Sequence, residues 1–296
     1  MVFKLIILFF FTQIFAQGRS MNKVQLASDE YDKYTSVGNL GLTITNFGIL
    51  GNGWNRMEDG SIHPSCQYKQ QTEIAREQIE HFSYAGLWVG GIVNGERRVS
   101  TSIVDGVFES GSEGFEIFAK SPIKIQSSIS STTQDSMAQY YSPYAISHQD
   151  IISDFSDYGS SIDDGQGIPN HTPLGLDIRL ESYAWNYSYA DAFVILNYTF
   201  NNVSQDTIKN IYSGIWTDPS VANFNYTDYY TPGGGFTWYD NLNVFDETID
   251  DAGFTRNIAA QFDTDGDDGW AESYIGISIL GASVPSQYLG SYHSQW

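Results

Sequence analysis

Cysteine is almost missing: Cys66 is the single one in 296 residues. An intramolecular disulfide framework and a cysteine zinc cluster are therefore both excluded. With no helix start or basic cluster beside it to lower its pKa, Cys66 reads as a small buried hydrophobe. Cations are also scarce, 14 Lys and Arg against 35 acids, for a net charge of −21. A chain this negative, without a Lys/Arg stripe, meets phosphate as repulsion, so nucleic acid is excluded as a partner and anionic membrane surfaces are disfavoured. Beyond the first sixteen residues no apolar run is long enough to span a bilayer, which takes about 20 residues. Proline is sparse at 8 residues, and no Pro- or Ser-rich linker divides the chain. Dinucleotide and phosphate-loop glycine patterns, a Gly-x-Ser-x-Gly elbow and internal repeats are lacking too.

What is present begins with Met1 to Ala16: one cation, Lys4, then the apolar run Leu5 to Phe11 and a small residue before Gln17. This reads as a signal peptide, and a secreted or cell-surface location follows. Residues 17–36 are polar and read as an extended lead-in that orders only against the domain. The remainder, 37–296, is rich in aromatics (20 Tyr, 18 Phe, 7 Trp) and in Gly, Ser, Thr and Asn, which favours strands and turns. The expected fold class is all-β, an antiparallel β-sandwich with one short helix, with room for one large domain or two smaller sandwiches. The chain ends at Trp296 without a closing element, so a longer parent protein is expected.

Leu40, Leu42 and Ile44 alternate into a first strand closed by Asn46 and Gly48. Glu73, Ala75, Arg76 and Glu77, with Ile74 and Ile79 as buried contacts, predict a helix over Thr72–Phe82. Asn94-Gly95 predicts a hairpin between a strand around Leu87–Ile92 and one from Arg97 to Ile103. Ser127–Gln139 reads as a surface loop and Tyr140–Gly167, with its many aromatics and acids, as a long irregular one. Leu174, Leu176, Ile178 and Leu180 alternate with Asp177, Arg179 and Glu181, a strand wet on one side. Val194, Leu196, Tyr198 and Phe200 share one face of a strand whose other face is partly apolar. Joined through Asn201–Thr207 to Ile208–Asp218, that strand is expected to form a central antiparallel pair, covered on both sides. Ile258–Phe262 and Tyr274–Leu280 are the last strands, joined by an acidic turn.

That turn carries the sharpest constellation: Asp263, Asp265, Asp267 and Asp268 with Gly266 and Gly269, and Glu272 three residues on. Alternate acids on a tight turn aim several carboxylate oxygens at one point, as a hard cation requires, so calcium in a structural role is expected here. It is not an EF-hand, since position six is Asp268 and position twelve is Tyr274. A solvated acidic hairpin is the competing reading. His148 and His171, with Asp150 and Asp154, make a weaker metal candidate of undistinctive spacing. Paired carboxylates for a glycan-acting hydrolase, such as Asp218 with Glu181 or Asp191, or acids of the Tyr140–Gly167 loop, are easily found among 35 acids and cannot be placed from sequence. Loop aromatics suit sugar stacking or a protein anchor, and the ligand-binding candidates are Trp185, Trp216, Asp218, Trp238 and Tyr239. The expected role is binding or structural, with polysaccharide or cell-surface components as partners, and catalysis is the less favoured alternative.

Val37-Gly38-Asn39 with Leu42–Asn46, Ile79-Glu80-His81 to Gly91, Ser147-His148-Gln149-Asp150, Glu181–Trp185, Gly214–Asp218 and Asp263–Gly276 carry a family likeness. Through them the chain resembles the amino-terminal part of large uncharacterised exported β-rich proteins of the Bacteroidetes and related bacteria. The resemblance implies β-sandwich architecture and export, often by the type IX secretion route with a carboxy-terminal sorting domain. It carries no catalytic assignment.

Overall fold

The computed structural model describes residues 32–52, 63–70, 79–103, 116–159, 171–222, 241–249, 255–264 and 272–282. They form antiparallel sheets throughout, an all-β sandwich. The first sheet contains β1 (Asp32–Tyr34), β2 (Leu40–Thr45), β3 (Ile49–Leu50), β4 (Cys66–Tyr68), β5 (Ile79–Val93), β6 (Glu96–Thr101) and β12 (Ile208–Ala222). The second contains β7 (Phe118–Ala119), β8 (Lys124–Gln126), β9 (Gln149–Ser156), β10 (Leu176–Ala184) and β11 (Ile195–Asn202). A third joins β13 (Asn241–Ile249), β14 (Thr255–Asp263) and β15 (Tyr274–Ser278). Among the described residues no helix is long and apolar enough to cross a membrane.

Strand β5, 15 residues long, is the axis of the first sheet. One edge pairs with β12 from Val93 to Glu80, and the other with β6, β3 and β4 in turn. At the β5–β6 turn Asn94 and Gly95 both take positive φ, 54° and 88°, the geometry an Asn-Gly hairpin demands. A register shift against β12, between Thr217 and Pro219, puts Phe82 and Ala85 into the same core. The inward residues Leu42, Ile44, Leu87 and Val89 of this sheet meet Ile151, Phe155, Ile178 and Leu180 of the second. On the opposite face of the first sheet, Ile49, Tyr84 and Ile103 form a smaller cluster with Phe47 and Trp216. In the second sheet Asp177, Arg179 and Glu181 alternate with the buried residues of β10, so one side meets water as its sequence predicts.

Three expectations are corrected. Ile79–Phe82 opens β5 instead of closing a helix, because Ile79 and Glu80 find ladder partners in Tyr68 and Gln67; residues 72–78 lie outside the described ones. Strand β11 does not pair with β12: it lines the edge of the second sheet beside β10, half exposed, while β12 crosses to β5. The turn chemistry at Asn201–Thr207 is nevertheless present, since Asn202 Oδ1 accepts from Ser204 N and its amide donates to Asp206 O, but it bridges two sheets. Within Tyr140–Gly167, residues 149–156 are β9, whose inward positions Ile151, Ser153 and Phe155 are all 0 % exposed. Serine among the inward residues hid that alternation. Asp32–Tyr34, at the end of the lead-in, is already a strand on β2.

Glu80 is buried where β4 meets β5. Its carboxyl accepts from Cys66 N at 3.0 Å, Gln67 Nε2 at 3.0 Å and Ser65 N at 3.4 Å. Burial outweighs these donors and lifts it from 4.5 to about 7; burial also pushes the Cys66 thiol up, with Glu80 adding to the effect. Because the folded chain holds this proton more tightly than the unfolded one, stability present below pH 4.5 is lost as pH rises to about 7. The loss is about 3 kcal/mol at 1.36 kcal/mol per unit. Glu80→Gln is expected to flatten the stability profile across that window, measured by denaturant titration at several pH values; an unchanged slope would contradict the assignment.

Candidate functional site: an aromatic rim on the second sheet

Four strand ends of the second sheet meet on one rim. Gln126 opposes Asp150, Gln149 opposes Ala184, and Tyr183 opposes Ile195. The connections 127–148 and 185–194 therefore lie side by side. Short polar bonds hold the first. Asp150 accepts from Ile146 N and Ser147 N, both at 2.8 Å, and Ser147 Oγ accepts Ala184 N at 3.0 Å, tying it to β10. Ser127 Oγ donates to His148 O, and Asp135 caps a 3-10 turn at Ser136–Tyr140 by accepting Met137 N.

The segment before β2 clamps both connections. Gln149 Oε1 accepts Ser36 N at 2.6 Å, and its amide donates to Tyr34 O. Asn39 donates through N to Asp191 O at 2.6 Å and through Nδ2 to Asp191 Oδ2 at 2.9 Å. Gly38 sits between them at φ +72°, where a Cβ would stand 2.6 Å from Trp185 O and 2.8 Å from Asp191 O. The segments 37–39, 147–150 and 181–185 thus converge here as a hydrogen-bonded framework.

Aromatic rings stand on that framework. Tyr187 and Tyr189 stack at 5.3 Å and 7°, and His148 meets Tyr187 edge-on at 4.6 Å. Trp185 lies 6.1 Å from Phe193 and 6.4 Å from Tyr183, whose hydroxyl burial and nearby Glu181 push upward in pKa. Tyr189 is 80 % exposed, Tyr144 87 % and Ile146 60 %. Below the rim the wet face of the sheet is polar and self-paired: Arg179 donates twice to Asp154, at 2.7 and 3.0 Å, and Asn197 donates to Glu181 at 3.0 Å. Tyr158 and Lys120 both reach Asp177.

Of the sequence candidates, Trp185 belongs to this rim. Trp216 packs half-buried in the cluster of Ile49, Tyr84 and Ile103. Asp218 lies on β12, with its side chain outside the description, and Trp238 and Tyr239 lie outside the described residues. So do Asp265, Asp267 and Asp268, whereas Asp263 is buried at the end of β14 and Glu272 is exposed just before β15. Among the described residues no three His, Cys, Asp or Glu side chains gather as a metal site. His148 accepts Asn186 N at one end of β10, while His171 faces Ser100 Oγ near the other. A nine-residue strand, roughly 30 Å at ~3.3 Å per residue, separates them, so they do not form one centre. Ser100 Oγ touches both His171 Nε2 and Asp157 Oδ2 but is wholly buried, closed to a substrate. Asp157 also accepts Leu174 N, Gly175 N and Leu176 N, so this loop acid fixes backbone. Tyr144, Tyr187, Tyr189 and Phe193 were not singled out as ligand contacts; the dense Trp185–Tyr189 run was the available signal.

Gly38→Ala is expected to cost about 1–3 kcal/mol, because it adds positive-φ strain and a clash with the 185–191 backbone. Denaturant melts of the two chains check this, and equal midpoints would show that the clamp is slack. No protein-family model matches the chain, and neither curated proteins nor solved structures give a match.

Proposed function

We propose that this is a secreted or cell-surface β-sandwich protein that attaches to glycan through the aromatic rim of its second sheet. The observation that carries the reading is the Tyr187–Tyr189 stack, 80 % exposed at Tyr189, raised on a hydrogen-bonded base. Flat exposed rings lose little entropy on contact and offer the apolar face that a sugar ring's C–H groups cover. The hydrolytic alternative has less support: Asp150, Asp157 and Asp154, acids of the 140–167 stretch, are taken up by backbone donors or by Arg179. Depletion of the protein from solution by insoluble polysaccharide tests the reading. The double variant Tyr187→Ala/Tyr189→Ala is expected to bind about tenfold or more weakly, with its melting temperature within about 2 °C of the parent. Retention of full binding would remove the rim from the site.

Calcium at the β14–β15 turn is the second part of the proposal, with Asp263, Asp265, Asp267, Asp268 and Glu272 as ligands. Its support is the register: Phe262 pairs with Tyr274, which brings Asp263 and Glu272 to the neck of one loop. Closely packed carboxylates gain most from a divalent cation. Chelated protein titrated with calcium is expected to melt at least about 3 °C higher, an effect that Asp263→Asn abolishes. No shift would refute calcium binding.

A further inference from the structure

We infer that the rim selects uncharged polysaccharide over anionic polymers; this rests on the glycan-binding reading above. The first observation is the distribution of cations. From Lys124 to Arg179 the chain has no Lys or Arg, and none follows until Lys209. Both connections that build the rim fall inside these gaps. Arg179 projects from the wet face of β10 and is held by Asp154, with two bonds and a separation of 2.7 Å. A carboxylated or sulfated glycan would thus meet two connections that carry no Lys or Arg, on a chain of net charge −21.

The second observation concerns the acids. Residues 127–150 and 181–194 contain four: Asp135, Asp150, Glu181 and Asp191. Asp135 caps the 3-10 turn, Asp150 holds Ile146 N and Ser147 N, Glu181 accepts Asn197, and Asp191 accepts Asn39. Each helps to build the rim and keeps its negative charge, which adds to the repulsion of an anionic glycan. The exposed rings of the two connections are Tyr140, Tyr141, Tyr144, Tyr187, Tyr189 and Phe193. Tyr187 covers one face of Tyr189 at an interplanar angle of 7°, which leaves the outer face of Tyr189 as a flat platform. A pyranose with an apolar C–H face and a border of uncharged hydroxyls complements this surface without any unpaired charge being desolvated.

Affinity electrophoresis of the full chain tests the inference. Gels carry mixed-linkage β-glucan, galactomannan or starch as neutral probes and polygalacturonate or chondroitin sulfate as anionic ones. Retardation is expected on at least one neutral polymer and on neither anionic one. It should hold from low salt to about 0.5 M NaCl, where ionic attraction is screened. Tyr189→Ala, at a position 80 % exposed, should weaken it about tenfold with little change in melting temperature. Binding confined to the anionic polymers, or abolished by salt, would overturn the selectivity while leaving glycan attachment standing. Neutral binding indifferent to Tyr189→Ala would overturn the platform. Absence of binding to every polymer would overturn the proposed function itself.

Discussion

A strand buried inside a sandwich must find a partner for every backbone N–H and C=O along both edges, and β5 meets that demand over 15 residues. Its two edges recruit β12 on one side and β6, β3 and β4 in succession on the other. Segments as far apart as residues 49–50 and 208–222 are thereby committed to one sheet. With that sheet in place its apolar face requires cover, and Ile151, Phe155, Ile178 and Leu180 of the second sheet supply it. The candidate site hangs on the ends of strands whose middles are fixed by this packing.

The alternation of Leu174 to Leu180 with charged residues identified β10 and its wet face correctly, because each inward residue there is aliphatic. Asn94-Gly95 was equally legible, since few dipeptides take two successive positive φ values without strain. The partner of β11 was not legible. Local pattern records which face of a strand is apolar, and Leu196, Tyr198 and Phe200 do point toward the core; it does not record which strand lies alongside. Strand β9 was hidden for a related reason, with Ser153 inside and Ile152 opposite the charged stretch of β10. At the start of β5, helix-favouring residues lost to pairing with residues far away in sequence.

The rim was partly visible. The run from Tyr183 to Tyr189 marked a cluster around Trp185, but the stacking of Tyr187 on Tyr189 and the exposure of Tyr144 depend on how two connections sit together. His148, Gln149 and Asp150 looked like candidates for chemistry. In place they are occupied by backbone donors: Asn186 N, Ser36 N, and the amides of Ile146 and Ser147. Polar residues spent in this way explain how a loop-built surface gains rigidity without a disulfide or a second layer of strands.

The clamp between the segment before β2 and the two connections joins residues distant along the chain: Ser36 and Gln149 are 113 positions apart, Asn39 and Asp191 152. Such closures come late in folding, after the loop entropy of the intervening chain has been offset by other contacts. The platform therefore has no counterpart in a nascent or half-collapsed chain. A molecule that displays it has already finished folding, so the recognition proposed for this surface would double as a certificate of completed structure.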